Sequence, residues 1–223
     1  MVISGWWLQK LRIKNEKLKM CLRLKMAIYL NDDIVDFNLE TALPLLSNQR
    51  KNQVFQFRFE RERKMCALAY LLLCEGLSKE YAITEKPLFE YGNFGKPFIK
   101  NHPEIHFNIS HCRDAVICVL SNNPVGVDIE SIHEYDKSLV NYTMNVQEQN
   151  IITKSIHPDI EFIRFWTKKE AVLKCSGIGL KDDIKFVLDT KPQSFEVSTK
   201  EDSKRRYVYS ICYNNTSKYS NKP

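Results

Sequence analysis

The sequence predicts an α+β fold, on three observations. Short strand-like runs gather between residues 88 and 130 and again after residue 185, while two long helical patterns stand apart from them. Each half of the chain reads loosely as strand, helix and strands in a similar order. No Gly-, Pro- or Ser-rich linker divides the halves. The 223 residues, 43% hydrophobic, suffice for one large domain or two small ones.

The first strand is Ala27 to Leu30. After a polar, acidic connection, Leu43 to Ser47 leads into a helical pattern from about Asn48 to Leu77. Its first part is basic, with Phe55, Phe57 and Phe59 interleaved; Met65 to Leu77 is apolar nearly all round and predicts a buried helix that Gly76 helps to end. Arg50, Lys51, Arg58, Arg61 and Arg63 flank that helix, either as a solvated face or as a phosphate clamp.

Leu88 to Tyr91 and Lys96 to Ile99 predict short strands around a Gly92 to Gly95 turn. Pro97 cannot donate to a ladder, which places this piece at an edge or at the mouth of a cleft. Ile105, Phe107 and Ile109 alternate with polar residues, a half-buried strand ending at Ser110-His111. Ala115 to Leu120 reads as a fully buried strand and Ser121 to Pro124 as a turn. In Val125 to Glu130, side chains alternate: Gly126, Asp128 and Glu130 share one face, and Val125, Val127 and Ile129 the other.

Asn145 and Glu148 form a capping-box pattern opening a helix through about Lys154. Ile160 to Cys175 is a stronger helix, stopped by Gly177 and Gly179. Lys185 to Leu188, Ser194 to Ser198 and Tyr207 to Tyr213 read as strands, and residues 214–223 as a polar tail that frays.

The net charge of +6 is confined to residues 1–25, where seven Lys or Arg face Glu16 alone; residues 26–223 hold 26 bases and 26 acids. A basic footprint for nucleic acid is therefore absent from the fold itself, and no nucleic-acid partner is expected. Charges interrupt residues 1–25 too often for a signal-peptide core or a membrane span, so a cytoplasmic protein without membrane association is expected. This basic extension reads as a surface helix, or as a disordered segment ahead of a later start at Met20 or Met26, the second being favoured. Seven cysteines, without a CxxC pair, suit small buried hydrophobes better than disulfides or zinc.

Trp166, Glu170 and Lys174, spaced four apart, lie along one helical face. Alone, Glu170 and Lys174 read as a surface pair worth about 0.3–0.5 kcal/mol, and Asp128 with Glu130 as the solvent face of an edge strand. If the three acids meet, each pair about 4 Å apart repels by roughly 4 kcal/mol at an effective dielectric of about 20, and a cation is needed. Oxygen-only ligands favour Mg²⁺, which also binds substrate phosphates. Ser110, His111, Lys96, Lys169 and Lys174 are suitable partners for those phosphates, which points to phosphoryl chemistry on a polyphosphate.

Four blocks in this order, Gly95 to Ile99 (GKPFI), Phe107 to Cys112 (FNISHC), Gly126 to Glu130 (GVDIE) and Phe165 to Leu180 (FWTKKEAVLKCSGIGL), resemble the signature of the surfactin-type (Sfp-type) 4′-phosphopantetheinyl transferases. The resemblance covers roughly residues 27–213. It implies a pseudo-twofold pair of similar halves, residues 26–124 and 125–213, with coenzyme A and Mg²⁺ in the cleft between them. It further implies transfer of 4′-phosphopantetheine from coenzyme A to a serine of an apo acyl- or peptidyl-carrier protein, releasing adenosine 3′,5′-bisphosphate, by a monomeric enzyme. By the same resemblance Asp128, Glu130 and Glu170 match the metal-binding acids. Glu170, directly or through water, helps deprotonate the serine, and Lys174 contacts the pyrophosphate and assists the leaving group. Ser110, His111, Lys96, Pro97 and Lys169 match coenzyme-binding positions; Arg50 and Arg63 are assigned to the 3′-phosphate, with Arg61 in competition. Cys112 stands where Ser or Thr is common in the family and reads as a tolerated small residue. The alternative is a non-catalytic protein that keeps the coenzyme cleft or holds nucleic acid through its basic N-terminus, against which the intact acids and Lys174 speak.

Overall fold

The computed structural model describes residues 14–16, 25–177, 184–202, 204 and 206–215. Two antiparallel sheets lie back to back, each with a long helix on its outer face. The first sheet has the order β1 (Lys14–Glu16), β2 (Met26–Asn31), β6 (Val116–Ser121), β5 (His106–His111). The second has the order β7 (Val125–Ser131), β9 (Tyr207–Asn214), β8 (Phe195–Glu201). A separate hairpin pairs β3 (Phe89–Tyr91) with β4 (Pro97–Ile99). The turn between them needs Gly95, whose φ of 78° suits glycine.

Alternation explains the layering. Ala27, Tyr29, Val116, Cys118 and Leu120 face the helix α3 (Glu60–Tyr81), whereas Met26, Ile28, Leu30, Ile117 and Val119 face Val125, Val127, Ile129, Tyr209 and Ile211 of the second sheet. A strand buried on both sides can carry apolar residues at every position, and β6 does from Val116 to Leu120. On the far side of the second sheet lies α6 (Pro158–Ser176), against Cys212 and Phe195 at one end and Val208 at the other. Each fully buried Val or Ile contributes about 1.5–3 kcal/mol, so this double-sided core fixes the face that every strand residue presents.

Several elements differ from expectation. The pattern from Asn48 to Leu77 is two helices, α2 (Asn48–Gln56) and α3, separated by extended residues at Phe57 and Phe59. Ser47 caps the first, its hydroxyl accepting from the Arg50 N–H. Gly76 does not end α3, which runs to Ala82 in the left-handed conformation. It lets the helix lie close to β6, where a Cβ would come within 2.3 Å of Leu120 Cδ1. Residues Lys185 to Leu188 are not a strand; a 3₁₀ turn, Ile184–Phe186, continues into the short helix α7 (Val187–Thr190), with Ile184 and Val187 buried three apart as in a helix. Short helices α1 (Leu39–Ala42) and α4 (Lys137–Thr143) were not anticipated. The capping box at Asn145 opens α5 (Val146–Lys154) as expected. Residues 14–16 add an edge strand to β2. The rest of residues 1–24, Gly179 and most of the tail lie outside the described residues. Among the described residues no helix is long and apolar enough to cross a membrane.

Candidate active site

β5 closes the first sheet and β7 opens the second, so the two strands lie alongside each other without sharing a ladder. Their link is made by side chains on one face of β5. Asn108 Oδ1 accepts the Val127 N–H at 2.8 Å, and Ser110 Oγ donates to Asp128 Oδ1 at 3.0 Å. Expected half-buried, β5 is covered on this polar face too, because β7 lies over it.

α6 crosses β7 at very short range. A Cβ on Gly126 would sit 2.2 Å from the Ala171 carbonyl oxygen and 2.3 Å from the Cys175 nitrogen, so only glycine allows this approach. The helix face carrying Trp166, Glu170 and Lys174 is thereby set beside the acids of β7. Lys174 Nζ donates to Asp128 Oδ1 at 2.6 Å and to Ser110 Oγ at 3.2 Å. Asp128 is 4% exposed, and its Oδ2 is buried with no hydrogen-bond partner among the described residues. Burial lifts the Glu170 carboxyl above its ordinary range; Lys174 opposes this and Asp128 reinforces it. Glu130 is raised by burial and then by Asp128, while the Trp166 indole, donating to it, and Lys174 pull the other way.

Beside this cluster is a cavity of about 210 Å³, bordered by Lys96, Pro97, Asn108, Glu170 and Lys174, with Phe94 and Leu173 on its walls. Lys96 reaches from the β3–β4 hairpin to donate to the carbonyls of Val125 (3.0 Å) and Lys174 (2.6 Å), and its burial lowers its pKa. The side chain of Lys96 thus ties the hairpin of the first half to the C-terminal turn of α6. His111 is exposed at the end of β5, near enough to Lys174 and Asp128 to feel both charges.

Other residues assigned from sequence stand elsewhere. Lys169 is fully buried and points away from the cavity: its ammonium pairs with Glu148 at 2.7 Å and donates to the carbonyls of Thr143, Ile184 and Lys185. Its expected phosphate contact is corrected to a structural anchor, because adjacent helix residues point about 100° apart and Glu170 takes the cavity side. Arg50 packs over the rings of Tyr70 and Phe89 within the first core, with Nη1 3.6 Å from Cys66 Sγ. Arg63 donates to the Phe57 carbonyl at 2.8 Å and braces the break between α2 and α3. Arg61 instead reaches the Arg113 carbonyl, two residues beyond His111. Asn108 was not singled out in the sequence, although its spacing of two from Ser110 on a strand places both on one face. Cys112 is buried and its thiol is pushed up by that burial, in keeping with a small packing residue.

A family model described as the 4′-phosphopantetheinyl transferase superfamily matches residues 124–219, the stretch that contains Gly126, Asp128, Glu130, Glu170 and Lys174. The chain is 30% identical over 185 residues to the 4′-phosphopantetheinyl transferase gsp of Aneurinibacillus migulanus, covering 74% of this chain and 77% of that protein. It is 29% identical over 154 residues to the 4′-phosphopantetheinyl transferase psf-1 of Bacillus pumilus, covering 68% of this chain and 66% of the relative, just under two thirds of it. To the 4′-phosphopantetheinyl transferase Sfp of Bacillus subtilis it is 24% identical over 156 residues, covering 69% and 70%.

Proposed function

Since the chain belongs to the 4′-phosphopantetheinyl transferase superfamily, we propose that it transfers the 4′-phosphopantetheine arm of coenzyme A to a serine of an apo acyl- or peptidyl-carrier protein, with Mg²⁺, and releases adenosine 3′,5′-bisphosphate. The observation that supports this best is the meeting of Asp128, Ser110 and Lys174 beside the cavity that Glu170 also borders. In the reaction the serine oxygen attacks the pantetheine-side phosphorus, the bond from that phosphorus to the bridging oxygen breaks, and the electron pair leaves on the bisphosphate.

Glu170 suits the removal of the serine proton, directly or through water, because burial raises its pKa and makes its carboxylate a better base than an ordinary one. Lys174 neutralises the charge that grows on the leaving bisphosphate. Among the described residues no three metal-ligating groups stand together as a finished cage. The donor set nonetheless fits Mg²⁺: it is all oxygen, Asp128 Oδ2 is buried without a partner among the described residues, and Glu130 and Glu170 resist ionising next to it. Bound by these three acids, Mg²⁺ would neutralise the pyrophosphate. Coenzyme A would lie in the cleft between the halves, with His111, Lys96 and Pro97 at its edges and Arg61 a stronger candidate than Arg63 or Arg50 for the 3′-phosphate.

Mass spectrometry of apo-carriers incubated with the protein, coenzyme A and Mg²⁺ tests the proposal. The expected result is a mass gain of one phosphopantetheine, absent without Mg²⁺ and absent for Asp128→Ala or Glu170→Ala. Coenzyme A cleavage without any carrier, or wild-type transfer by either variant, overturns it.

A further inference from the structure

Asn108 has no part in the mechanism above, yet it is 8% exposed and borders the cavity with Lys96, Pro97 and Glu170. Its bond to Val127 determines how the amide is turned. A backbone N–H can only donate, so the group facing β7 is Oδ1, and the NH₂ group must point away from that strand. Nδ2 makes no hydrogen bond to another described residue, and it is not sealed from the cavity as Asp128 Oδ2 is sealed. The two donors of a fixed, largely buried amide are thus unused.

The neighbouring cation does not fill this role. The ammonium of Lys96 is engaged on the Val125 and Lys174 carbonyls. Phe94, Pro97 and Leu173 make this part of the cavity apolar, and a few fixed polar groups among apolar walls are what orient a bound ligand. We infer that Asn108 Nδ2 donates a hydrogen bond to an uncharged acceptor of the coenzyme lodged in this cavity, a purine ring nitrogen or a pantetheine carbonyl oxygen. The inference rests on the coenzyme reading given above.

Calorimetric titration of wild type, Asn108→Asp and Asn108→Leu with coenzyme A tests it. Asn108→Asp keeps the acceptor for Val127 but loses the donors and adds charge; Asn108→Leu removes acceptor and donors without adding charge. Both are expected to bind coenzyme A about tenfold more weakly or worse. Titration with adenosine 3′,5′-bisphosphate and with 4′-phosphopantetheine then identifies the acceptor by the fragment whose affinity falls. Wild-type affinity in Asn108→Leu, or a loss confined to Asn108→Asp through charge repulsion, overturns the inference. Should Asn108→Leu not fold, adenosine and pantetheine, which carry no phosphate to be repelled, are titrated against Asn108→Asp; unchanged affinity for both overturns it equally. A wild-type protein that binds no coenzyme A fails at the earlier reading instead, and takes this one with it.

Discussion

Among single residues, Glu130 shows most directly that the site is built at the expense of stability. Its carboxyl is raised by burial and by Asp128, so the folded protein holds a proton there more tightly than the unfolded chain does. A carboxyl shifted in this direction favours folding below its unfolded value of about 4.3, and that contribution is lost as pH rises through the folded value. Replacing it by Gln, which still accepts the Trp166 indole, should therefore raise Tm near neutral pH and leave it unchanged below about pH 4. Thermal melts of apo Glu130→Gln at the two pH values check this; an equal gain at both would mean that charge is not the cause. Transfer activity should fall in the same variant. The alternation of Asp128 and Glu130 was legible in the sequence because a strand has a period of two. The burial of Asp128 and the half-burial of Glu130 were not, because the face opposite Val127 looks solvent-exposed until α6 is laid over it.

At the scale of elements, α6 is positioned by two contacts on different sides. Gly126 admits its backbone to β7, and Lys169 draws the Thr143 carbonyl and residues 184–185 onto its far side. Gly126→Ala should force the helix outward, costing about 1–3 kcal/mol through overpacking and moving Glu170 and Lys174 from Asp128. Urea unfolding together with a transfer assay measures both, and wild-type transfer in a folded Gly126→Ala protein would contradict it. Lys169→Met leaves Glu148 buried without its cation and should cost about 3–5 kcal/mol, whereas Lys169→Met with Glu148→Leu should recover part of that loss. A double-mutant cycle in urea decides this; strictly additive losses would rule out the pairing. Element boundaries were partly readable. Ser47 and Asn145 announce helix starts through side chains that accept locally. The extended break at Phe57 and Phe59 carries no such local signal. Lys185 to Leu188 shows the limit of periodicity: four residues satisfy a strand pattern, and the helical turn is decided by Lys169 drawing carbonyls from another part of the chain.

The whole molecule is held together by the sheet-to-sheet core and by ties at its ends. Arg206, just before β9, pairs with Asp202 at 3.0 Å and with Asp32, just after β2, at 2.5 Å, and the Tyr207 hydroxyl also donates to Asp32. Neither sheet can cover its inner apolar face alone. Hydrogen exchange in increasing urea should therefore give β2 and β9 the same opening free energy, a single cooperative unit despite two sequence halves. Clearly separate transitions would show that the halves fold independently. The mixed α and β composition followed from patterning, since long apolar helices and alternating strands bury their faces in different ways. How the sheets face each other did not, because β2 and β6 are apolar on both sides and give no sign of which side meets which partner.

The packing of β7 also limits how this gene can change length. Val125, Val127 and Ile129 are wholly buried between the sheets while Gly126, Asp128 and Glu130 face the side covered by α6. Inserting or deleting one residue directly after Pro124 would rotate every later side chain to the opposite face, sending two carboxylates into hydrocarbon and three aliphatic groups towards α6 and its polar cluster. Lineages of this protein should accordingly vary in length in the turn at 121–124, or in steps of two, and keep the spacing from Gly126 to Glu130 constant.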